Sequence, residues 1–149
     1  MAFDTLLRER IGPRLRELGL AGSGPTWLLP DETRWVQLGF QKSRGNTADR
    51  QRVTVNLSVI GKDAWERARA EVPRWPARPK PNATYALPGL PPAVRIAELM
   101  PGPEGDLWWE FPGDGDGDGE ATADALCAAI ADYALPWLRA RAAEPPPGG

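Results

Sequence analysis

The chain has 149 residues, with 18 Lys+Arg against 20 Asp+Glu for a formal charge of -2. That length suits one domain of about 100 to 200 residues, and the charge argues against a general nucleic-acid or membrane-surface binder. There is no histidine, which excludes a Ser-His-Asp triad, an imidazole base and any imidazole metal site built from this chain alone.

The single cysteine, Cys127, excludes an internal disulfide and fits a reducing compartment. Residues 1–80 carry 15 basic and 9 acidic residues, whereas residues 81–149 carry 3 and 11. Two halves of opposite sign either attract each other within one domain or present a split surface to two partners. Arg8, Glu9 and Arg10 interrupt the start before an apolar signal segment can form. The longest weakly polar stretch, Ala125 to Ala131, is far short of the ~20 residues of a membrane helix. The expectation is a soluble, cytoplasmic protein without membrane contact.

In chain order, Phe3, Leu6, Leu7, Ile11, Leu15 and Leu18 recur at helical spacing and predict an amphipathic helix over 3–18, kinked at Gly12-Pro13 and stopped by Gly19. A turn at Gly22 to Pro25 leads to a short strand, Thr26 to Leu29, and Pro30-Asp31-Glu32 turns back. Trp35 to Gln41 and Arg52 to Ile60 are the clearest strands. Val36, Leu38 and Phe40 alternate on one, and Val53, Val55, Leu57 and Val59 on the other, the period of a half-buried antiparallel sheet. The opposite faces carry Gln37 and Gln41, then Thr54, Asn56 and Ser58. The linking loop, Lys42 to Gln51, holds Lys42, Arg44 and Arg50 with Gly45-Asn46 as turn chemistry.

Asp63 and Glu66 resemble a capping box for a short helix over 63–71 with Trp65, Ala68 and Val72 on one face. Nine prolines in residues 73–103 exclude regular structure and predict an ordered wrap-around loop or an insertion. Ala93 to Leu99 and Leu107 to Phe111 are further strand candidates. Residues 112–121 read as an acidic glycine linker, and Ala123 to Tyr133 as a helix that Pro136 bends or restarts. Residues 143–149 read as a disordered tail.

Asp114 to Gly119 imitates the start of a calcium loop, but its twelfth position is Ala125 where a bidentate Glu belongs, so it reads as a solvated linker. Cys127 reads as a buried helix residue, and Glu110 beside Trp108 and Trp109 is the one acid nominated for acid-base work. Seven of the twelve aromatics are tryptophan, a residue enriched both in cores and at binding hot spots. Trp35 shares the phase of Gln37 and Gln41, and either packs under a helix or is a contact residue. Gln41 and Asn56 either bond each other to fix the hairpin or present amides to a ligand.

Leu18-Gly19-Leu20, Trp35 to Ser43, Val53 to Leu57, Trp108-Trp109 and Tyr133 to Leu138, in that order, resemble the domain of unknown function 4304 family over most of residues 3–139. The most specific pieces are Gln41-Lys42-Ser43, Asn56-Leu57 and Leu135-Pro136-Trp137-Leu138. The proline-rich stretch and the acidic glycine run depart from it. The resemblance implies a small bacterial α+β domain and carries no activity.

The fold expected is α+β, an antiparallel sheet of four to five strands with the N- and C-terminal helices packed on its apolar face, as one domain over 1–142. The function expected is a non-enzymatic binding or regulatory module, with an immunity-like or toxin-neutralising role as one form of it. It would recognise a protein partner through the polar sheet face and basic hairpin loop, using Trp35, Gln37, Gln41, Lys42, Ser43, Arg44, Arg52 and Asn56. The alternative is a small enzyme or small-molecule binder for an anionic ligand held by Lys42, Arg44 and Arg52. Neither reading calls for a cofactor, a metal or a nucleic acid. A ligand site requires a concave pocket where Gln41, Asn56 and a basic residue converge, whereas a protein-binding face is flat and broad.

Overall fold

The computed structural model describes residues 3–45, 50–102, 108–112 and 119–145. Strands β1 Ala21–Ser23, β2 Thr26–Leu29, β3 Arg34–Lys42 and β4 Arg50–Gly61 pair antiparallel in sequence order, and β5 Val94–Arg95 and β6 Trp109–Pro112 share the remaining edge of β4. Helices α1 Phe3–Leu6, α2 Gly12–Glu17, α4 Gly119–Ala129 and α5 Leu135–Ala142 pack on one face, and α3 Lys62–Glu71 follows β4. The class is therefore α+β, with one strand more than expected because Gly22 and Ser23 belong to β1 and not to a turn.

The β3–β4 register sets Val36 against Val59, Leu38 against Leu57 and Phe40 against Val55. These residues meet Phe3, Ile11, Leu126 and Leu138 of the helices in the main core, with Val59 only half-buried. Each such aliphatic or aromatic side chain contributes about 1.5 to 3 kcal/mol when fully buried.

Both helical arms contain a proline and absorb it in the same way. A π-helical turn, Leu7–Ile11, precedes Pro13, and Gly12 N–H donates to the Leu7 carbonyl; a second, Ile130–Ala134, precedes Pro136, and Leu135 N–H donates to Ile130. The wider turn accommodates a residue that lacks an N–H and whose ring would meet the carbonyl four residues back. The expected kink and restart are thus π turns inside continuous arms, and the second arm begins at Gly119, ahead of the expected Ala123. The first arm ends at Gly19 (φ 96°), where Gly19 N–H donates to Arg16 and Leu20 N–H to Leu15. That pair of bonds is a Schellman cap, which favours glycine at the left-handed position.

Three further expectations are corrected. Ala93 to Leu99 is a strand only at Val94–Arg95 and then a 3₁₀ turn, Ile96–Leu99, because β6 occupies the same edge of β4 from Val53 onward. Helix α3 starts at Lys62 behind Gly61 without a side-chain cap, and Glu66 pairs with Arg69 instead of capping. Pro112 lies in β6 and Gly119 to Ala121 in α4, so both ends of the expected 112–121 linker belong to regular elements. The tail begins ordered, with Ala143 N–H donating to Arg139 and the Glu144 carbonyl accepting from Arg34. The Gly45-Asn46 turn beyond Gly45, the strand start at Leu107, the acidic run up to Asp118 and residues 146–149 lie outside the described residues.

The largest departure concerns the second face of the sheet. Residues 73–92 form no helix or strand and cross that face as a strap of turns and bends. Trp65 Nε1–H donates to the carbonyls of Pro76 and Ala77, 3.2 Å each, and the Trp65, Trp75 and Tyr85 rings pack with centroids 4.7 to 5.5 Å apart. Pro79 and Pro81 are buried. The sheet is therefore covered on both faces and not half-buried, with helices on one and the proline strap on the other. Among the described residues, no helix is long and apolar enough to cross a membrane.

Candidate functional site

Alternation along β3 and β4 turns Trp35, Gln37, Gly39 and Gln41, with Arg52, Thr54, Asn56 and Ser58, toward the strap. The register pairs Gln37 with Ser58, Gly39 with Asn56 and Gln41 with Thr54. Expected as a solvent-facing recognition surface, this row is buried: Gln37 and Thr54 are 0% exposed, Ser58 4% and Asn56 6%. Gly39 makes the cover possible. A Cβ there would stand 2.5 Å from Asn82 Oδ1 and 2.8 Å from Pro81 Cγ, so the strap touches the sheet only because position 39 carries no side chain.

Asn56 is the hub of the polar contacts. Its Nδ2 donates to Gln41 Oε1 at 2.6 Å and to Asn82 Oδ1 at 2.9 Å, and its Oδ1 accepts from Arg95 Nε at 3.2 Å. Arg95 Nη2 also donates to Gln41 Oε1 at 3.3 Å, and Asn82 Nδ2 donates to the Phe40 carbonyl at 2.9 Å. The Arg95 guanidinium lies 5.4 Å from the Trp108 ring centroid. Gln41 and Asn56 do converge with a basic residue, and the set locks strap and β5 onto the sheet. Gln37 stands apart from this network: among the described residues, neither its Nε2 nor its Oε1 has a partner.

The basic hairpin residues do not converge. Lys42 faces the helices and its Nζ lies 2.9 Å from Asp4, whereas Arg52 faces the strap side and its Nε lies 3.7 Å from Glu110. Ser43 N–H donates to the Arg52 carbonyl, Ser43 Oγ accepts from Gly45 N–H, and Arg44 is exposed at the loop. The nominated acid Glu110 is thus an exposed member of an ion pair.

An open groove of about 450 Å³ lies between the strap and the start of β2, lined by Pro25, Thr26, Pro76, Arg78, Pro79, Lys80, Pro81 and Asn82. No carboxylate lines it. The Arg78 guanidinium sits 5.9 Å from the Trp35 ring centroid and Lys62 Nζ 4.7 Å from it, so Trp35 is a half-buried cation platform beside the groove.

Among the described residues, three titratable groups are displaced by their surroundings. At Asp31 burial acts to raise the pKa, but hydrogen bonds from Thr33 and Arg34 hold it below the ordinary value. Asp124 is lowered, first by its hydrogen bond from Arg10 and then by the charges of Arg10 and Arg14, which bridge the two helical arms. Burial pushes the Cys127 thiol up, which suits a packing role over a nucleophilic one. Among the described residues, no group of three or more His, Cys, Asp or Glu is placed to hold a metal ion.

Sequence reasoning missed Arg78, Lys80, Asn82, Arg95 and Trp108. One signal pointed to the strap: a glycine inside an alternating strand marks close approach by other backbone, and Gly39 is that residue.

Comparison with known proteins adds the family. The model of a family described as a domain of unknown function (DUF4304) matches residues 11–140. No curated protein and no solved structure matches the chain.

Proposed function

The chain belongs to the DUF4304 family, and we propose that it is a non-enzymatic binding module that recognises a protein partner through the groove between its proline strap and the start of β2. The observation that carries this reading is the pair Arg78 and Lys80. Both line the groove, and neither side chain has an ion pair or hydrogen bond among the described residues. Other cations are engaged, Arg10 and Arg14 with Asp124, Lys42 with Asp4 and Arg69 with Glu66, and Arg44, Arg67 and Arg74, which like Arg78 and Lys80 have no ion pair among the described residues, line no part of the groove. Unpaired cations on a rigid proline frame keep their charge available to a partner without reorganisation, and preorganisation of this kind favours affinity.

This reading moves the recognition surface away from the polar sheet face, whose amides are consumed under the strap, and away from the hairpin loop, whose Lys42 and Arg52 are paired. The alternative of a small-molecule binder for an anion draws on the groove's volume, which lies within the range of ligand pockets. Capture from source-cell lysate separates the cases. The expected result is a protein retained by the wild type and by an Arg44→Ala control but lost from Arg78→Glu/Lys80→Glu. Retention of the same proteins by all three baits, or of none, overturns the partner reading.

A further inference from the structure

Resting on that reading, we propose the partner's chemistry: the groove receives an extended segment with acidic residues at alternate positions, one carboxylate meeting Arg78 and the next meeting Lys80. The lining supplies two cations and no acid, so charge complementarity selects a negative occupant. Spacing selects its conformation. Arg78 and Lys80 stand on either side of the buried Pro79, so their α-carbons are at most about 7 Å apart. Same-side residues of an extended peptide recur at nearly this interval, about 6.5 Å for two residues.

The walls agree. An open groove of about 450 Å³ has room for a few residues of an extended chain. Thr26, half-buried at the rim, adds a hydroxyl that both donates and accepts toward a peptide backbone. The Arg78 guanidinium lies 5.9 Å from the Trp35 ring centroid, a cation–π contact that favours this placement of the side chain.

The test is fluorescence anisotropy with a labelled peptide of four Asp-Gly repeats at low ionic strength, with an Asn-Gly repeat as control. The Asp-Gly peptide should bind the wild type, weaken about tenfold or more with Arg78→Gln/Lys80→Gln, keep its affinity for Arg44→Gln, and weaken as salt is added. The Asn-Gly peptide should not bind. Arg78 and Lys80 are exposed, and melting curves of each variant verify folding; Lys80→Gln alone provides an intermediate case. Equal binding by the double variant, or no binding by the wild type, overturns the proposal. Competition by inorganic phosphate at concentrations well below the peptide's also overturns it and assigns the groove to small anions. If the lysate partner is retained by the wild type but the acidic peptide is not bound, the acidic class fails and the partner reading stands.

Discussion

Gly39 lies directly under Asn82: a Cβ on residue 39 would come within 2.5 Å of Asn82 Oδ1. This contact joins the strap to a strand more than 40 residues earlier, and it reverses an ordinary expectation. Alanine normally exceeds glycine inside a strand by about 0.5 to 1 kcal/mol. Here Gly39→Ala should instead destabilise by about 1 to 3 kcal/mol, because the Asn82 side chain and the Pro81 ring must move. Denaturant unfolding measures the sign; a stabilised variant would show that the strap is not seated on the sheet.

Gln37 carries the opposite prediction. Its amide is fully buried and, among the described residues, unpartnered, and each such group costs about 1 to 3 kcal/mol. Gln37→Met keeps most of the volume and removes both polar atoms, so stability should rise by about 1 kcal/mol or more. Thermal melting checks this, and a clear loss of stability would mean that the amide is bonded in solution.

Asn56 should tolerate no truncation. Asn56→Ala strands the Asn82 oxygen, leaves Gln41 Oε1 with only the longer bond from Arg95 Nη2 and leaves Arg95 Nε without that acceptor, a cost of about 1 to 3 kcal/mol. The strap should loosen with it. Hydrogen exchange should speed up at Ala83 N–H, which bonds the Lys80 carbonyl, while the Leu57 amide in the central strand stays protected. Unchanged exchange at Ala83 would show that Asn56 does not hold the strap.

Asp124 ties the helical arms together in a pH-dependent way. Its pKa is lowered in the folded state, so its contribution is present above the ordinary Asp value of 3.8 and disappears as pH falls through the lower folded value. Asp124→Asn should therefore melt below the wild type at pH 7, and the gap should close in the acid range below pH 3.8. A gap that persists unchanged at low pH would assign it to packing and not to the Arg10 and Arg14 contacts.

The two long strands were legible because alternation is local: Val36, Leu38 and Phe40, with Val53, Val55 and Leu57, show their period within a few residues. The polar row Gln37, Gln41, Thr54, Asn56 and Ser58 was equally legible as a face, but its burial was not. Period 2 distinguishes the two faces of a strand and says nothing about what covers each. The cover comes from residues 73–92, whose prolines have no period and whose contacts are tertiary. The groove cations Arg78 and Lys80 carry no local signal for the same reason, since the strap's tertiary path alone brings them to the groove. Prolines 13 and 136 announced interruptions in the helices, yet the π turn that absorbs each one depends on the register of the preceding carbonyls, which composition does not reveal.

The most direct test of the central claim places a photo-reactive crosslinker at single cysteines in a Cys127→Ala background, using Thr26→Cys and Lys80→Cys in the groove and Arg44→Cys at the hairpin loop, in source-cell lysate. The expected result is a protein adduct from position 26 that an added Arg78→Glu/Lys80→Glu change abolishes, a weaker one from position 80, where a recognition cation has been removed, and none from position 44. An adduct from position 44 alone, or none from position 26, would contradict the groove as the recognition site.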